Sequence, residues 1–577
     1  LLNEIKTRVQ DNETSPVILL VPEQYSFEME KRVSSLYLGK EKDKYMRTRV
    51  LSFNTMSALV FTKTGGLTDV NINSSGKAMI TYKAIEKVAD ELNVFSKAAS
   101  QTGFVGSVSE IISELKQYNV NYDMLEYIAE DIENETLRLK LKDVSKIYEA
   151  FENELHENYV DSQDMLGSLA QKLENTSYFD GCYVYIDEFT GFTPKQYSIL
   201  AKLLKKAKEV SISLTVDNVN YLNYRKNDPF SRTKYTYEKL RKIAMDNGVK
   251  INPYIDLNKG KIKRFENNNE LLHLERYYNA YPYHDYEKEV NYLKIKEFNN
   301  LYEEVEHIAK EIVNLVRDKN IRYKDITVAT RDLNRYDFLV HSIFNEYEIP
   351  NFIDKKRDVK SNPIIVLITS ALEIKNKRYS YEVMFRYLKS GLIGLSVDEV
   401  SLIENYVILN GIKGKKWLEE KWEYRAVNNY NSDITEEESQ TIKTINEIKN
   451  RVLNPVIKLQ NKLKGKKSCR EICKNIYEFL VEIDMEQTIY DLVEDFKAKG
   501  ELEVASQYSQ VWDIVIDILD QIVEIMGDDV VSIDRFIKII SLGFEEYELG
   551  LVPPSIDQVL VSSVDRMKNP NTKYLYL

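Results

Sequence analysis

The sequence predicts an α/β protein with two parallel-sheet units, each split by a helical insertion. Three observations carry that reading. Short apolar runs end abruptly in acidic or small polar residues, as at Cys182–Ile186 followed by Asp187-Glu188. Helical periods alternate with these runs, and parallel strands need such crossovers to return to the same sheet edge. Two long stretches, about Lys77 to Ser168 and Asn362 to about Gly550, show helical period with almost no strand signal.

Composition bounds the function. The 577 residues, 43% hydrophobic and 29% charged, fit a globular chain with several cores. With 79 basic and 91 acidic residues the formal charge is −12, which excludes a simple basic DNA-coating protein but not a local basic track. Three cysteines (Cys182, Cys469, Cys473) imply a reducing, cytoplasmic setting rather than a disulfide framework. No apolar run approaches a membrane span, so no membrane partner is expected.

Taken in order, Leu1 lies within an amphipathic pattern and Tyr574 to Leu577 reads as an interrupted strand, so a fragment is expected. Pro16–Val21 is a buried strand that leads through Pro22-Glu23-Gln24-Tyr25-Ser26 into a helix at Phe27. Arg49–Phe53 is another, with Asn54-Thr55 as the expected helix cap. Ser75-Gly76-Lys77 invites a phosphate-loop reading, but Asn71 and Ala78 break the Walker A pattern at both ends. It is expected to start a helix. In the stretch that follows, Val108, Ile111, Leu115 and Tyr118 form the expected buried stripe.

Cys182–Ile186 is a third strand, and Pro194 opens a helix running to Lys206. Glu209–Val216 is the next strand, ending in Asp217. After a polar connection (Asp217–Asn269) come a strand at Tyr292–Phe298 and an amphipathic helix at Tyr302–Val316, buried through Val305, Ile308, Ile312 and Leu315. Ile326–Thr330, Ile349–Ile353, Gln558–Val564 and the run at Tyr574 complete the strands.

Ligands of open α/β sheets bind beyond the carboxyl ends of the strands. Asp187-Glu188 at such an end suits a divalent metal on a nucleotide phosphate and the water that attacks it. The alternative is an acidic pair that simply ends a strand. Cys469 and Cys473 are spaced four apart with no further thiol or histidine nearby, so they read as buried thiols and no metal site is expected.

Two sheets, each with a helical insertion, match the plan of superfamily 1 helicases, with RecA-like domains 1A and 2A and insertions 1B and 2B. On that plan 1–76 and 171–285 are domain 1A, interrupted by 1B at 77–170. Residues 286–375 and 552–577 are domain 2A, interrupted by 2B at 376–551. V-P-E-Q-Y-S-F, R-V-L-S-F, Y-I-D-E-F-T-G-F-T-P-K-Q and L-V-P-P-S-I-D-Q-V-L-V-S-S-V-D-R resemble the AddB family, the non-motor subunits of bacterial helicase–nucleases. The resemblance covers Leu1 to Leu577. It implies action at DNA ends in recombinational repair, an AddA-type partner subunit, and single-stranded DNA scanned for a Chi-type sequence.

The resemblance also assigns residues. Asp187 and Glu188 occupy the place of motif II, and Arg331 with Arg335 that of motif IV. Phe189-Thr190-Gly191-Phe192 replaces the usual Gln-Asp after motif II, and Ser562–Arg566 lacks the glycine of motif V. This implies a helicase fold retired from motor work, with Asp187, Glu188 and Arg331 as a vestigial ATP/Mg²⁺ site. Gln24, Ser26, Phe53, Asn54, Thr55, Phe189 and Phe192 are the expected DNA-binding residues. The match is partial, since members of the family can carry Thr, Arg and Trp where Ser26, Thr55 and Ala58 stand here. The family's iron–sulfur cluster belongs to a nuclease domain beyond Leu577. The rival readings are an active ATP-driven helicase whose P-loop precedes Leu1, and a protein-docking scaffold.

Overall fold

Val17–Leu20 (β1), Thr48–Leu51 (β2), Tyr183–Ile186 (β3) and Glu209–Ile212 (β4) form a sheet in the order β2-β1-β3-β4, with every neighbouring pair parallel. The computed structural model describes residues 1–10, 15–36, 47–65, 70–156, 159–160, 162–219, 228–257, 265, 267–355, 357–425, 435–549, 557–567 and 572–577. Residues 551–556, which open the last of the motifs quoted above, lie outside the described residues. Contacts divide the described residues into two units, Leu1–Ile251 with Asp358–Glu548 and Asn252–Arg357 with Leu549–Leu577.

In the first unit, strand alternation fills both faces of the sheet. Ile18, Leu20, Val184 and Ile186 pack with Leu169, Leu173, Ile199 and Leu203 from the helices Ser162–Asn175 and Pro194–Lys206. Val17, Leu19, Tyr183 and Tyr185 pack with Ile5, Val9, Met29 and Val33 from Leu2–Gln10 and Ser26–Leu36. Each such side chain contributes about 1.5–3 kcal/mol by leaving water. Two strands are shorter than expected. β2 ends at Leu51 because Ser52 caps the helix Phe53–Thr64: its Oγ accepts from the Thr55 amide while Thr55 Oγ1 accepts from the Ser52 amide. The cap is therefore Ser52, not Asn54-Thr55. β4 stops at Ile212, half-buried at the sheet edge, and Ser213 turns its hydroxyl to Asp187.

The helical stretches pack within the same unit. Asn73 caps Ser74–Val88, its Oδ1 accepting from the Gly76 amide at 3.0 Å, so Ser75-Gly76-Lys77 is a helix start as expected. Ser75 Oγ donates to the Gly543 carbonyl at 2.7 Å, and a Cβ at Gly76 would lie 2.4 Å from Gln521 Oε1. Gly76 thus permits a close helix crossing rather than phosphate binding. The helix Thr102–Gln117 buries Val105, Val108 and Ile112, whereas Ile111 and Tyr118 are 42% and 55% exposed. The expected stripe is out of phase because a lysine sits on the inner face: buried Lys116 pairs with Glu152 at 2.9 Å. The second helical stretch, read from chain order as an insertion of the second sheet, clusters by contact with the first.

In the second unit, Ile326–Thr330 (β5), Asn351–Ile353 (β6), Val559–Ser563 (β7) and Tyr574–Tyr576 (β8) make a parallel sheet ordered β8-β5-β7-β6. Helices Leu301–Lys319 and Leu333–Glu346 cover it through Val305, Ile312, Val340 and Phe344. Tyr292–Phe298 is not the expected strand. The Glu270 carboxylate takes the amides of Asn291, Tyr292 and Leu293, and Ile295 is 93% exposed. Both sheets are parallel α/β layers, as the sequence predicts.

Candidate functional site

Strand register gathers the first site. Leu20 pairs with Leu51 and Ile186, and Ile186 with Ile212, so the four strands end level. The residues that follow, Pro22–Ser26, Ser52–Thr55, Asp187–Phe192 and Ser213, therefore share one edge although the chain separates them widely. The loops after β1 and β2 are tied together, since Ser52 Oγ donates to Glu23 Oε2 at 2.8 Å.

Three aromatic rings meet at this edge. Phe53 lies 5.7 Å from Phe189 and 6.4 Å from Phe192, both edge-on, and Phe189 and Phe192 are tilted at 4.9 Å. Phe53 is 5% exposed and belongs to the core, whereas Phe189 and Phe192 are half-buried. Gln24, Asn54 and Thr55 are exposed around them, although Thr55 is engaged in the cap. Ser26 is half-buried and donates its hydroxyl to the Glu23 carbonyl at 2.7 Å.

Asp187 follows β3 and accepts from the Ser213 hydroxyl and, at 3.0 Å, from the Glu188 amide. Glu188 itself holds φ +68, a strained conformation for a non-glycine residue and one that concentrates at functional turns. Asp187 is thus committed to neighbours within the fold. Gly76 supplies no phosphate cradle to it, being closed off in a helix crossing. The residues present do not by themselves fit a nucleotide and its metal.

Sequence reasoning missed a contribution from the helix Ser231–Asp246. A Cβ at Gly191 would lie 3.3 Å from Arg232 Nε, and Thr236 Oγ1 donates to the Thr190 carbonyl at 3.2 Å. Arg232 is exposed, Tyr235 is 54% exposed, and Lys239 Nζ stands 4.3 Å over the Tyr197 ring. Tyr197 in turn meets Phe192 at 5.5 Å. The i, i+3, i+7 spacing of Arg232, Tyr235 and Lys239 was the available signal. It lay in a segment otherwise dominated by polar residues.

The second sheet has its own carboxyl edge. Ser563 pairs with Thr330, and Arg331 and Arg335 just beyond β5 are exposed. Asp354, after β6, accepts from Ser562 Oγ at 3.2 Å and from an Arg566 amino group at 3.0 Å. Arg331 and Asp187 belong to different units. Among the described residues no group of His, Cys, Asp and Glu could hold a metal ion. Burial raises the thiols: Cys469 is pushed up to about 11, and Cys473 also lies above its ordinary value. None of the described helices is long and apolar enough to cross a membrane.

Comparison with known proteins shows what the chain is similar to. Residues 1–275 match the family described as "ADDB, N-terminal". The whole chain aligns, at 66% identity, with the B-subunit of an ATP-dependent helicase/deoxyribonuclease from Clostridioides difficile (strain 630) and covers 50% of it. It also aligns in full with proteins of the same name from Thermoanaerobacter sp. (strain X514), at 46% identity, and Clostridium botulinum (strain Loch Maree / Type A3), at 42%. Each of these is again covered over 50% of its length, so the chain spans about half of the curated relatives it matches. The resemblance read from the motifs therefore holds along the whole chain: in its sequence this protein is similar to the AddB subunits of ATP-dependent helicase/deoxyribonucleases.

Proposed function

We propose that this chain is part of the AddB-type subunit of a helicase–deoxyribonuclease that processes double-strand DNA ends for recombinational repair. In this reading it works in the cytoplasm beside an AddA-type subunit. Its two sheets are superfamily 1 motor domains that no longer drive translocation, and the carboxyl edge of the first sheet binds and scans single-stranded DNA in search of a Chi-type sequence. The observation that carries the proposal is the meeting of Phe53, Phe189 and Phe192 beside Arg232 and Lys239. Half-buried rings offer faces for bases, and the cations offer charge for phosphates. Buried Phe53 supports the other two rings from below instead of stacking on DNA itself.

Asp187 and Glu188 are read as remnants of an ATP/Mg²⁺ site, Arg331 of the second unit is left out of it, and no turnover step is assigned to them. Single-strand affinity measured beside thermal unfolding tests the proposal. Phe189→Ala and Phe192→Ala should each cost about 1–3 kcal/mol of single-strand binding if each ring stacks on a base. Variants that unfold at lower temperature yet bind as before would make both rings core residues and defeat it.

A further inference from the structure

Away from this edge, two loops of the second helical stretch carry a concentration of positive charge. Lys375, Lys377 and Arg378 stand at the end of the helix Pro363–Asn376 and in the turn after it, and Lys413 and Lys415 flank Gly414. The loops touch: the Gly414 amide donates to the Tyr379 carbonyl at 3.4 Å, and a Cβ at Gly414 would lie 3.8 Å from the Arg378 carbonyl oxygen. All five cations are exposed, and none pairs with a carboxylate among the described residues. Three carboxylates close in sequence or contact are engaged elsewhere, Glu373 by Arg386, Glu404 by Lys389 and Tyr381, and Asp534 by Asn376, while Glu382 is exposed.

The negative end of the helix dipole accounts for cations at Lys375–Arg378. It does not account for Lys413 and Lys415, which stand at the start of the 3-10 turn Gly414–Leu418. The loops are also held firmly. Arg378 and Tyr379 both sit at φ +53, and the second loop is anchored by Trp417, 1% exposed and 5.2 Å from Trp422. Five like charges on two touching loops repel one another at low ionic strength, and a bound polyanion would relieve that repulsion. In a chain of net charge −12 this concentration needs a local reason.

We propose that the paired loops 375–379 and 411–416 bind the phosphate backbone of duplex DNA. The choice of DNA rests on the helicase–deoxyribonuclease reading above. The choice of duplex rests on the two tryptophans beside these loops, Trp417 and Trp422, which are buried and offer no face to a base. Such a surface follows phosphates and leaves bases unread.

The test is the triple variant Lys377→Glu/Arg378→Glu/Lys415→Glu in the full-length protein. Binding to a blunt duplex and to a single strand is measured across a salt series, with thermal unfolding as the folding control. Duplex affinity should fall at least tenfold at low salt, and the slope of log K against log salt should flatten by about 0.9 for each phosphate that is no longer neutralised. Single-strand affinity should change little. An unchanged duplex affinity and slope would overturn the proposal, and so would an equal loss for both substrates. Failure of the single-strand reading is separate, because it appears only in the Phe189 and Phe192 variants.

Discussion

Phe53 shows how one residue is judged differently once its surroundings are known. From the sequence it reads as a stacking ring; in the fold it is a core residue under Phe189 and Phe192. Phe53→Ala should therefore lower stability by about 3–5 kcal/mol, read as a fall in the unfolding midpoint. Loss of DNA binding should follow only as a consequence of that. Asp143 offers a pH test. Burial alone would raise its pKa, but the amides of Asn93, Val94 and Phe95 donate to its carboxylate and bring it below the ordinary value. A depressed folded-state pKa means the contribution is present above the unfolded-state pKa and lost as pH falls through the folded one. Asp143→Asn should destabilise the protein near neutral pH, and the difference from the natural protein should shrink on acidification. A constant gap across an acid titration would refute that account.

At the scale of elements, the helix crossing at Gly76 makes a sharp prediction. Ala at that position favours the helix by about 0.5–1 kcal/mol, but its Cβ would meet Gln521 Oε1 at 2.4 Å and Ile525 Cδ1 at 3.0 Å. Overpacking costs about 1–3 kcal/mol, so Gly76→Ala should be net destabilising. Gln521→Ala in the same chain should recover part of the loss, and chemical denaturation of the single and double variants reads the coupling. The capping box at Ser52 is a second such case. Ser52→Ala should cost about 1 kcal/mol by freeing an amide of the first helical turn. It would also release Glu23 from its tie between the β1 and β2 loops, so single-strand affinity should weaken beyond what stability alone explains.

For the whole molecule, the decisive expectation is the absence of motor activity. Asp187 is held by Ser213 and Glu188, and Ser562 and Arg566 are tied to Asp354. DNA should therefore not stimulate ATP hydrolysis by this chain, and Glu188→Gln should leave the background rate unchanged. Robust turnover abolished by that substitution would restore the active-helicase reading. The docking-scaffold alternative is tested at the same scale, since it expects no affinity for single-stranded DNA.

The sequence by itself determined the runs that make the strands of the two four-stranded sheets. Buried runs such as Val17–Leu20, Tyr183–Ile186 and Ile326–Thr330 are recognisable because a strand covered on both faces must be apolar throughout. It also determined the family resemblance, because the motif residues stand in the stretches that link strand to helix. Only the tertiary structure decided which residues those stretches share. Ser52 rather than Asn54 caps its helix, a choice set by where β2 must stop pairing. Lys116 displaced the expected stripe because an ion pair let a lysine lie inside. Tyr292–Phe298 has strand chemistry but no strand, since its first amides are taken by Glu270 and no described sheet edge pairs with it. Arg232 and the two basic loops were hidden for the same reason. Proximity between distant segments is a property of strand register and helix crossing, and neither is written in local residue pattern.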